Sequence, residues 1–157
     1  MAVLASAVLG GIGLAEPVPQ LRVEVTGITV PAEITPSASL PSEVLSECSW
    51  NWETDGIRLR VVQVRMRRSY TMARYLRRWR ADHACAAREV KDILLSASIV
   101  APQRTVVGSC EAGDFYAIHF VKLDDGFVEL HADSNNPDDV RLRAALRGLM
   151  AQVHFPR

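Results

Sequence analysis

The fold is decided by residues 113–132, which read GDFYAIHFVKLDDGFVELHA. This stretch predicts a β-hairpin, because Asp125-Gly126 suits the two central positions of a type I′ turn and the flanking runs are rich in aromatic and β-branched residues. A turn at these two residues places Lys122 opposite Glu129 as a cross-strand pair of opposite charge. The period of two then determines which face of the sheet each side chain occupies.

The two faces of this hairpin differ in composition. One face is nearly all apolar, and it comprises Phe115, Ala117, His119, Val121, Leu123, Val128 and Leu130. The other face is mixed, and it comprises Tyr116, Ile118, Phe120, Lys122, Glu129 and His131. The mixed face is either a second buried layer or a binding surface, since aromatic residues beside charges are typical of an interface core. In the second case Tyr116, Phe120 and His131 are candidate interaction residues.

A second hairpin is predicted over residues 49–66, with its turn at Asp55-Gly56. This register places Trp50 and Trp52 on one face of the sheet. The apolar residues of the second strand then change phase, from positions 57, 59 and 61 to positions 62, 64 and 66. An inserted residue would cause such a change, so the pattern predicts a β-bulge near residues 61–62.

The N-terminal part of the domain predicts one strand and one irregular connection. Residues 21–30 alternate apolar and polar side chains up to Gly27, which indicates a strand with a bulge or bend at the glycine. Residues 31–41 contain three prolines, which indicates a surface loop or extended arm.

Two amphipathic helices are predicted. The first spans residues 72–95 with Ser69 or Thr71 as its N-cap. Its apolar stripe comprises Met72, Leu76, Trp79, His83, Ala86, Val90 and Leu94. The second begins after a capping Asn136 with Pro137 in its first turn. Its stripe comprises Leu142, Ala145, Leu146, Leu149, Met150 and Val153.

The polar side of the first helix is rich in arginine. Arg74, Arg77 and Arg78 are the candidate interaction residues on this side. Such a charged face is a solvated surface, a contact for an acidic protein or anionic lipid, or a nucleic-acid site. The polar side lacks interleaved aromatic residues for stacking on bases, which disfavours nucleic acid.

The order of these elements is strand, hairpin, helix, strand plus hairpin, helix. It predicts an α+β fold with about six mostly antiparallel strands and two helices packed on the sheet. If one helix covers each face of the sheet, the fold is an α/β/α sandwich, and the apolar content of both hairpin faces is explained.

The length and the net charge of the chain limit the domain organisation and the possible partners. The chain has 157 residues, with 18 basic and 18 acidic side chains that cancel. The length fits one domain, assigned to residues 16–157, and the neutral total argues against a dedicated nucleic-acid binder. Residues 1–15 are uncharged and apolar like the hydrophobic part of a signal peptide, and they are too short to span a bilayer. The expected location is periplasmic or secreted, or cytoplasmic if this leader is not a signal.

Three cysteines, Cys48, Cys85 and Cys110, fit an exported domain with one disulfide and one free thiol. Three pairings are open, with a slight preference for Cys85 with Cys110. No C-x-x-C motif occurs in the sequence, which excludes a thioredoxin-like centre.

No catalytic, metal or cofactor residues are predicted. Cys110 with His119 or His131 has the residue types of Cys-His catalysis, but the hairpin register places the two histidines on opposite faces. His83 and Cys85 lie two residues apart on the predicted helix and diverge, unlike metal ligands three or four apart. The sequence contains no G-x-S-x-G motif and no phosphate-binding loop in a strand-to-helix context.

The layout resembles the PsbP/DcrB-like group of small α/β/α domains. The similar features are Gly-Ile-Thr-Val-Pro at 27–31, the strand pair, the long helix, Gly-Ser-Cys-Glu-Ala-Gly at 108–113, Phe-Tyr-Ala-Ile-His-Phe-Val at 115–121, and Asn-Asn-Pro-Asp-Asp at 135–139. The resemblance implies an exported or accessory protein that binds other proteins, with no functional residues to transfer. A cystatin-like or NTF-two-like sheet wrapped on one helix is the alternative.

Three functions are compatible with these patterns. The first is an exported, non-enzymatic protein-interaction domain, such as an envelope accessory factor or an immunity-type inhibitor. The second is a small-ligand carrier with a pocket between sheet and helix. The third is a Cys-dependent enzyme.

Overall fold

The structure is a computed structural model that describes residues 21–83, 86–90, 101–110 and 113–155, with the main chain alone for 86–90 and Asp139. The predicted leader at 1–15, Cys85 and residues 91–100 lie outside the described residues.

The described residues form an α/β/α sandwich, which confirms the predicted α+β class. The strands of the main sheet, in spatial order and all antiparallel, are β3 (Glu33–Ile34), β4 (Val44–Thr54), β5 (Ile57–Met66), β9 (Gly126–Ser134), β8 (Phe115–Lys122), β7 (Gln103–Ser109) and β6 (Ala86–Val90). A small sheet has the order β10 (Val153–His154), β1 (Arg22–Val25) and β2 (Ile28–Thr29). The helices are α1 (Met72–Asp82) and α2 (Asp139–Gln152).

Each face of the main sheet is covered by one helix. On one face α2 buries Leu142, Leu146 and Leu149 against a layer that includes Trp50 and Leu130. On the opposite face α1 forms a separate core cluster, which comprises Val44, Val62, Val64, Met66, Tyr70, Met72, Tyr75, Leu76, Trp79, Val106, Tyr116, Ile118, Phe120 and Phe127. The mixed face of the central hairpin is therefore largely a second buried layer.

The hairpin at Asp55-Gly56 is confirmed with its predicted register. Trp52 faces Leu59, and the turn residues have φ angles of 51° and 72°, as a type I′ turn requires. A second turn of this kind lies at Thr26-Gly27, where φ is 50° and 77°. The predicted first strand is therefore a short hairpin of β1 and β2, and the glycine marks a turn rather than a bend within one strand.

The predicted register of the central hairpin is wrong by two residues. The turn lies at Asp124-Asp125, because the Leu123 N–H donates to the carbonyl oxygen of Gly126 at 2.8 Å. Gly126 does not adopt a positive φ. Glycine is needed at this position because a Cβ there would lie 1.9 Å from the carbonyl oxygen of Val64 on β5. A shift of two residues leaves every side chain on its predicted face but changes its partner.

The predicted bulge at residues 61–62 is also wrong. The pairing of β5 with β9 runs without interruption from Arg58 to Arg65. The apolar positions change phase because β5 faces the α2 layer with its first half and the α1 layer with its second half. The register shift lies instead on β4, between Val44 and Ser46.

The first helix is shorter than predicted. Thr71 is the N-cap and accepts from the Arg74 N–H at 3.2 Å, but α1 ends at Asp82. Ala86 and Val90, assigned to the helical stripe, lie on β6 at the edge of the sheet. Pairing with β7 there overrides helix propensity.

The second helix has its predicted buried stripe but a different cap. Asp138, not Asn136, accepts from the Arg141 N–H at 3.1 Å. The connection at 31–41 carries the two-residue strand β3 and a 3-10 turn at Ser37–Ser39. Neither described helix has the length and apolar character needed to cross a membrane.

Candidate functional site

A pocket of about 200 Å³ lies between α1 and the main sheet. Helix α1 contributes Tyr75, Arg78, Trp79 and Asp82 to its lining, and the C-cap residue His83 follows them. The strands β4, β5 and β9 contribute a second set of side chains, which comprises Val44, Glu47, Arg60, Val62, Val64, Glu129 and His131. The pocket thus combines apolar walls with several charged and polar groups.

Strand periodicity and a ring contact position the polar groups of this pocket. On β9, Phe127, Glu129 and His131 lie on the α1 face because side chains alternate along a strand. Phe127 stacks on Tyr75, with ring centroids 3.8 Å apart and planes inclined by 13°. This stack fixes the tyrosine where its hydroxyl reaches the next side chain on the same face of β9.

A buried network joins Tyr75, Glu129 and His131. The Tyr75 hydroxyl donates to Oε1 of Glu129 at 2.5 Å, and Nε2 of His131 lies 2.7 Å from Oε2. Burial by itself raises the pKa of Glu129, but the hydrogen bond and charge of His131 and the hydrogen bond of Tyr75 outweigh it, so the pKa lies below its ordinary value. Burial first, and then the charge of Glu129, raise the pKa of Tyr75. Glu129 is therefore an ionised acceptor, and Tyr75 stays a protonated donor.

The remaining polar groups of the pocket include hydrogen-bond donors with spare capacity. Nε1 of Trp79 is buried and has no hydrogen-bond partner among the residues that the structure describes, although the ring stacks on His83 with centroids 4.4 Å apart. Arg78 lies 3.9 Å from the carboxylates of Glu43 and Asp82, which is too long for a hydrogen bond. Trp79 therefore lines the pocket with its ring, whereas its buried N–H is not open to the cavity.

The groups that line the pocket limit its chemistry. Among the described residues its lining contains no Ser, Thr or Cys side chain, and its polar groups are carboxylates, guanidinium groups, imidazoles, an indole and a phenol. Within the described ranges, no group of three or more His, Cys, Asp or Glu side chains is arranged to hold a metal ion. The available interactions are hydrogen bonds and ion pairs to a bound molecule.

The predicted interaction residues separate into three environments. Tyr116 and Phe120 are buried against α1, with 8% and 0% exposure. His131 and Arg78 line the pocket. Arg74 and Arg77 are exposed on the outer side of α1, and the guanidinium of Arg74 lies 4.2 Å above the ring of Tyr70.

The exposed arginines of this region form what we call the basic face. It comprises Arg67, Arg68, Arg74, Arg77 and Arg80, all exposed. Within the described part of the chain, none of the five forms an ion pair. A surface of uncompensated positive charge attracts anionic partners.

Among the described residues, the two candidate histidines do not converge beside one cysteine. Cys48 is a free thiol buried among the α2-side core residues, and burial raises its pKa, so it is not an activated nucleophile. Neither pairing that involves Cys48 is therefore formed, while Cys85 lies outside the described residues. His119 and His131 occupy opposite faces of the sheet, as predicted.

His119 is a core histidine with both ring nitrogens in use. Nδ1 lies 2.7 Å from Oγ1 of Thr105, and Nε2 lies 2.8 Å from Oε1 of Gln103. Burial lowers its pKa from 6.5 to about 4.

His119 makes the stability of the fold depend on pH. Above pH 6.5 the imidazole is neutral in both states; between 6.5 and about 4 the unfolded chain binds a proton that the folded chain does not. The free energy of unfolding should therefore fall by about 3 kcal/mol over this window and level off below it. Urea unfolding at pH 7, 5.5 and 4 measures the loss. His119→Gln should lack this contribution, whereas carboxylates titrate in both proteins; equal pH dependence in both would contradict the assignment.

The sequence did not reveal Tyr75, Glu129 and Arg60 as members of one site. Tyr75 and Glu129 are 54 residues apart, and only the docking of α1 on β9 joins them. The i, i+2 spacing of Glu129 and His131, which places them on one face of a strand, could have revealed their contact. The incorrect register instead paired Glu129 with Lys122 across the hairpin. In the structure Lys122 faces Phe127, and Glu129 faces Phe120.

The chain was compared with known proteins at three levels. No protein-family model matches it. No curated protein and no solved structure matches it either.

Proposed function

We propose that this domain is an exported, non-enzymatic interaction protein whose basic face binds an acidic segment of another protein. The observation that carries the proposal is the basic face, five exposed arginines without ion pairs among the described residues of a chain with zero net charge. An acidic protein fits better than nucleic acid, because the aromatic residues of the region, such as Trp79 and Tyr116, are buried and cannot stack on bases.

Charge reversal on the basic face tests this proposal. Arg77→Glu should weaken the binding of a labelled oligoglutamate peptide about fivefold, because one attraction is lost and one repulsion is added, each worth about 0.5 kcal/mol at an exposed position. Fluorescence anisotropy titrations at two salt concentrations measure the effect. The matched control is Arg147→Glu, an exposed arginine on α2 with the same charge change.

Three outcomes would contradict this function. Arg147→Glu could weaken binding as much as Arg77→Glu, which would indicate attraction by overall charge rather than by the basic face. Vesicles containing phosphatidylserine could bind more tightly than the peptide and equally depend on Arg77, which would indicate a membrane surface. Single-stranded RNA could bind more tightly than the peptide and equally depend on Arg77, which would indicate a nucleic-acid site.

Export is supported by the apolar leader and by the expected disulfide. The β6–β7 register pairs Ala86 with Ser109, so one further step of the same ladder would bring Cys85 opposite Cys110. Directly opposed residues of antiparallel strands have Cα atoms about 4.5–5.5 Å apart, within the range that a disulfide bridges. With Cys48 buried as a free thiol, we propose the Cys85–Cys110 pair.

Thiol counting checks the disulfide. Non-reduced, denatured protein should react with one equivalent of a thiol reagent, Cys48→Ala should react with none, and Cys110→Ser should react with two. Reduction should lower the free energy of unfolding by about 3 kcal/mol, since the pair closes a loop of about 26 residues. Three reactive thiols in the untreated protein would remove the support for export.

The other two predicted functions differ in the observations that favour them. The small-ligand carrier remains a prediction, and the pocket beneath α1 is the feature that favours it. The Cys-dependent enzyme based on Cys110 has no comparable support, because its two candidate histidines, His119 and His131, lie on opposite faces of the sheet. The PsbP/DcrB-like resemblance remains a prediction from layout.

A further inference from the structure

We propose that the pocket between α1 and the sheet binds a small organic carboxylate. This site is separate from the basic face, and its ligand does not depend on the proposed protein partner.

The hydrogen-bonding capacity left open in the pocket is mainly on the donor side. The ring of Trp79, a residue with 6% exposure, lines the pocket, but its buried Nε1 is not open to the cavity. Arg60 lines the pocket from β5 and forms no ion pair with any described carboxylate. Arg78 reaches acidic side chains only at 3.9 Å. A ligand that pairs with the two guanidinium groups would supply acceptor oxygens and negative charge.

The acidic groups of the pocket are already in contact with other groups. Both oxygens of Glu129 are used by Tyr75 and His131. Oε1 of Glu47 accepts from the Thr35 hydroxyl at 3.0 Å, and Asp82 lies beside Arg78. Each of these carboxylates thus has a partner of its own, so none of them requires a cationic ligand.

The walls and the volume describe the rest of the ligand. Val44, Val62 and Val64 provide an apolar wall, which fits a hydrocarbon portion beside the carboxylate. The volume of about 200 Å³ lies below the range of about 300–1,000 Å³ that suits drug-sized molecules. The size class is therefore that of a short-chain carboxylic acid.

The test uses butyrate as the probe and the indole N–H resonance of Trp79 as the readout. In nitrogen–proton correlation spectra of the whole chain, assigned by triple-resonance experiments, butyrate should shift this resonance saturably at millimolar concentrations. Butyramide, which has the same shape without the charge, and butylamine, a cation of similar length, should shift it weakly or not at all. Arg60→Gln should weaken butyrate binding about tenfold, because it removes a charge-assisted hydrogen bond.

The control variant is Arg77→Gln, which removes the same charge from α1 outside the pocket lining and should leave butyrate affinity within about twofold of wild type. Equal responses to butyrate and butyramide would overturn the proposal, as would unchanged butyrate affinity in Arg60→Gln. The absence of any saturable shift of the Trp79 resonance would overturn it as well. Because peptide binding is tested at Arg77 and butyrate binding at Arg60, failure of one leaves the other standing.

Discussion

Gly126→Ala is expected to lower the free energy of unfolding by about 3 kcal/mol. The added Cβ would lie 1.9 Å from the carbonyl oxygen and 2.9 Å from the carbonyl carbon of Val64. Both are main-chain atoms of β5, so the clash cannot be relieved by rotating a side chain. The strands β5 and β9 would have to separate at the centre of the sheet, and overpacking of this kind costs about 1–3 kcal/mol or more.

The measurement is urea unfolding followed by circular dichroism, with Gly148→Ala as the matched control. Gly148 lies exposed in α2, and nothing lies within 4 Å of the Cβ it would gain. Alanine there should raise stability by up to about 1 kcal/mol through helix propensity. If Gly126→Ala unfolds within about 0.5 kcal/mol of wild type, β9 does not pass β5 in the observed register.

His131→Leu is expected to cost about 3–4 kcal/mol at pH 7. The substitution leaves the buried carboxylate of Glu129 with the Tyr75 hydroxyl as its remaining partner, and breaking a buried pair leaves an uncompensated charge. In the variant the hydrogen bond and charge of His131 no longer offset the effect of burial, so the pKa of Glu129 should rise above its ordinary value. The deficit relative to wild type should therefore shrink as the pH falls towards 4, because the carboxyl group then binds a proton in the folded state.

The control is Tyr75→Phe/Glu129→Leu/His131→Leu, which replaces the whole network by apolar side chains. Such replacements are often neutral or stabilising, so this protein should unfold within about 1 kcal/mol of wild type. Stable folding without the network would indicate that its polar groups serve the pocket rather than the fold. A His131→Leu deficit that is equal at pH 7 and pH 4 would show that Glu129 is not the charge left unpaired.

The sequence predicted local features well and long-range ones poorly. The turn at Asp55-Gly56 was found because both of its residues need positive φ, which is a local requirement. Gly126 follows an aspartate in the same way, yet it is glycine because of Val64, 62 positions earlier in the chain (126 − 64). Nothing next to Gly126 in the sequence carries that information.

The same distinction explains the helix boundary and the site. Residues 86–90 continue the arginine-rich helical pattern, but their main chain pairs with β7, and edge pairing is a tertiary effect. The local sequence places Tyr75 on a helix and Glu129 on a strand. Their contact depends on how α1 lies across β9, which residue spacing within either element does not determine.

The short ladder between β1 and β10 fastens the beginning of the domain to its end. Arg22 lies opposite His154, and Val23 opposite Val153, so the two ends of the folded unit are neighbours. A few linking residues would therefore join them, and the chain could be reopened at an exposed turn such as Asp55-Gly56 without altering the layers. The same proximity means that segments attached at either end would leave the molecule at one place. Whether such a segment lies near the basic face or the pocket mouth depends on where that place is.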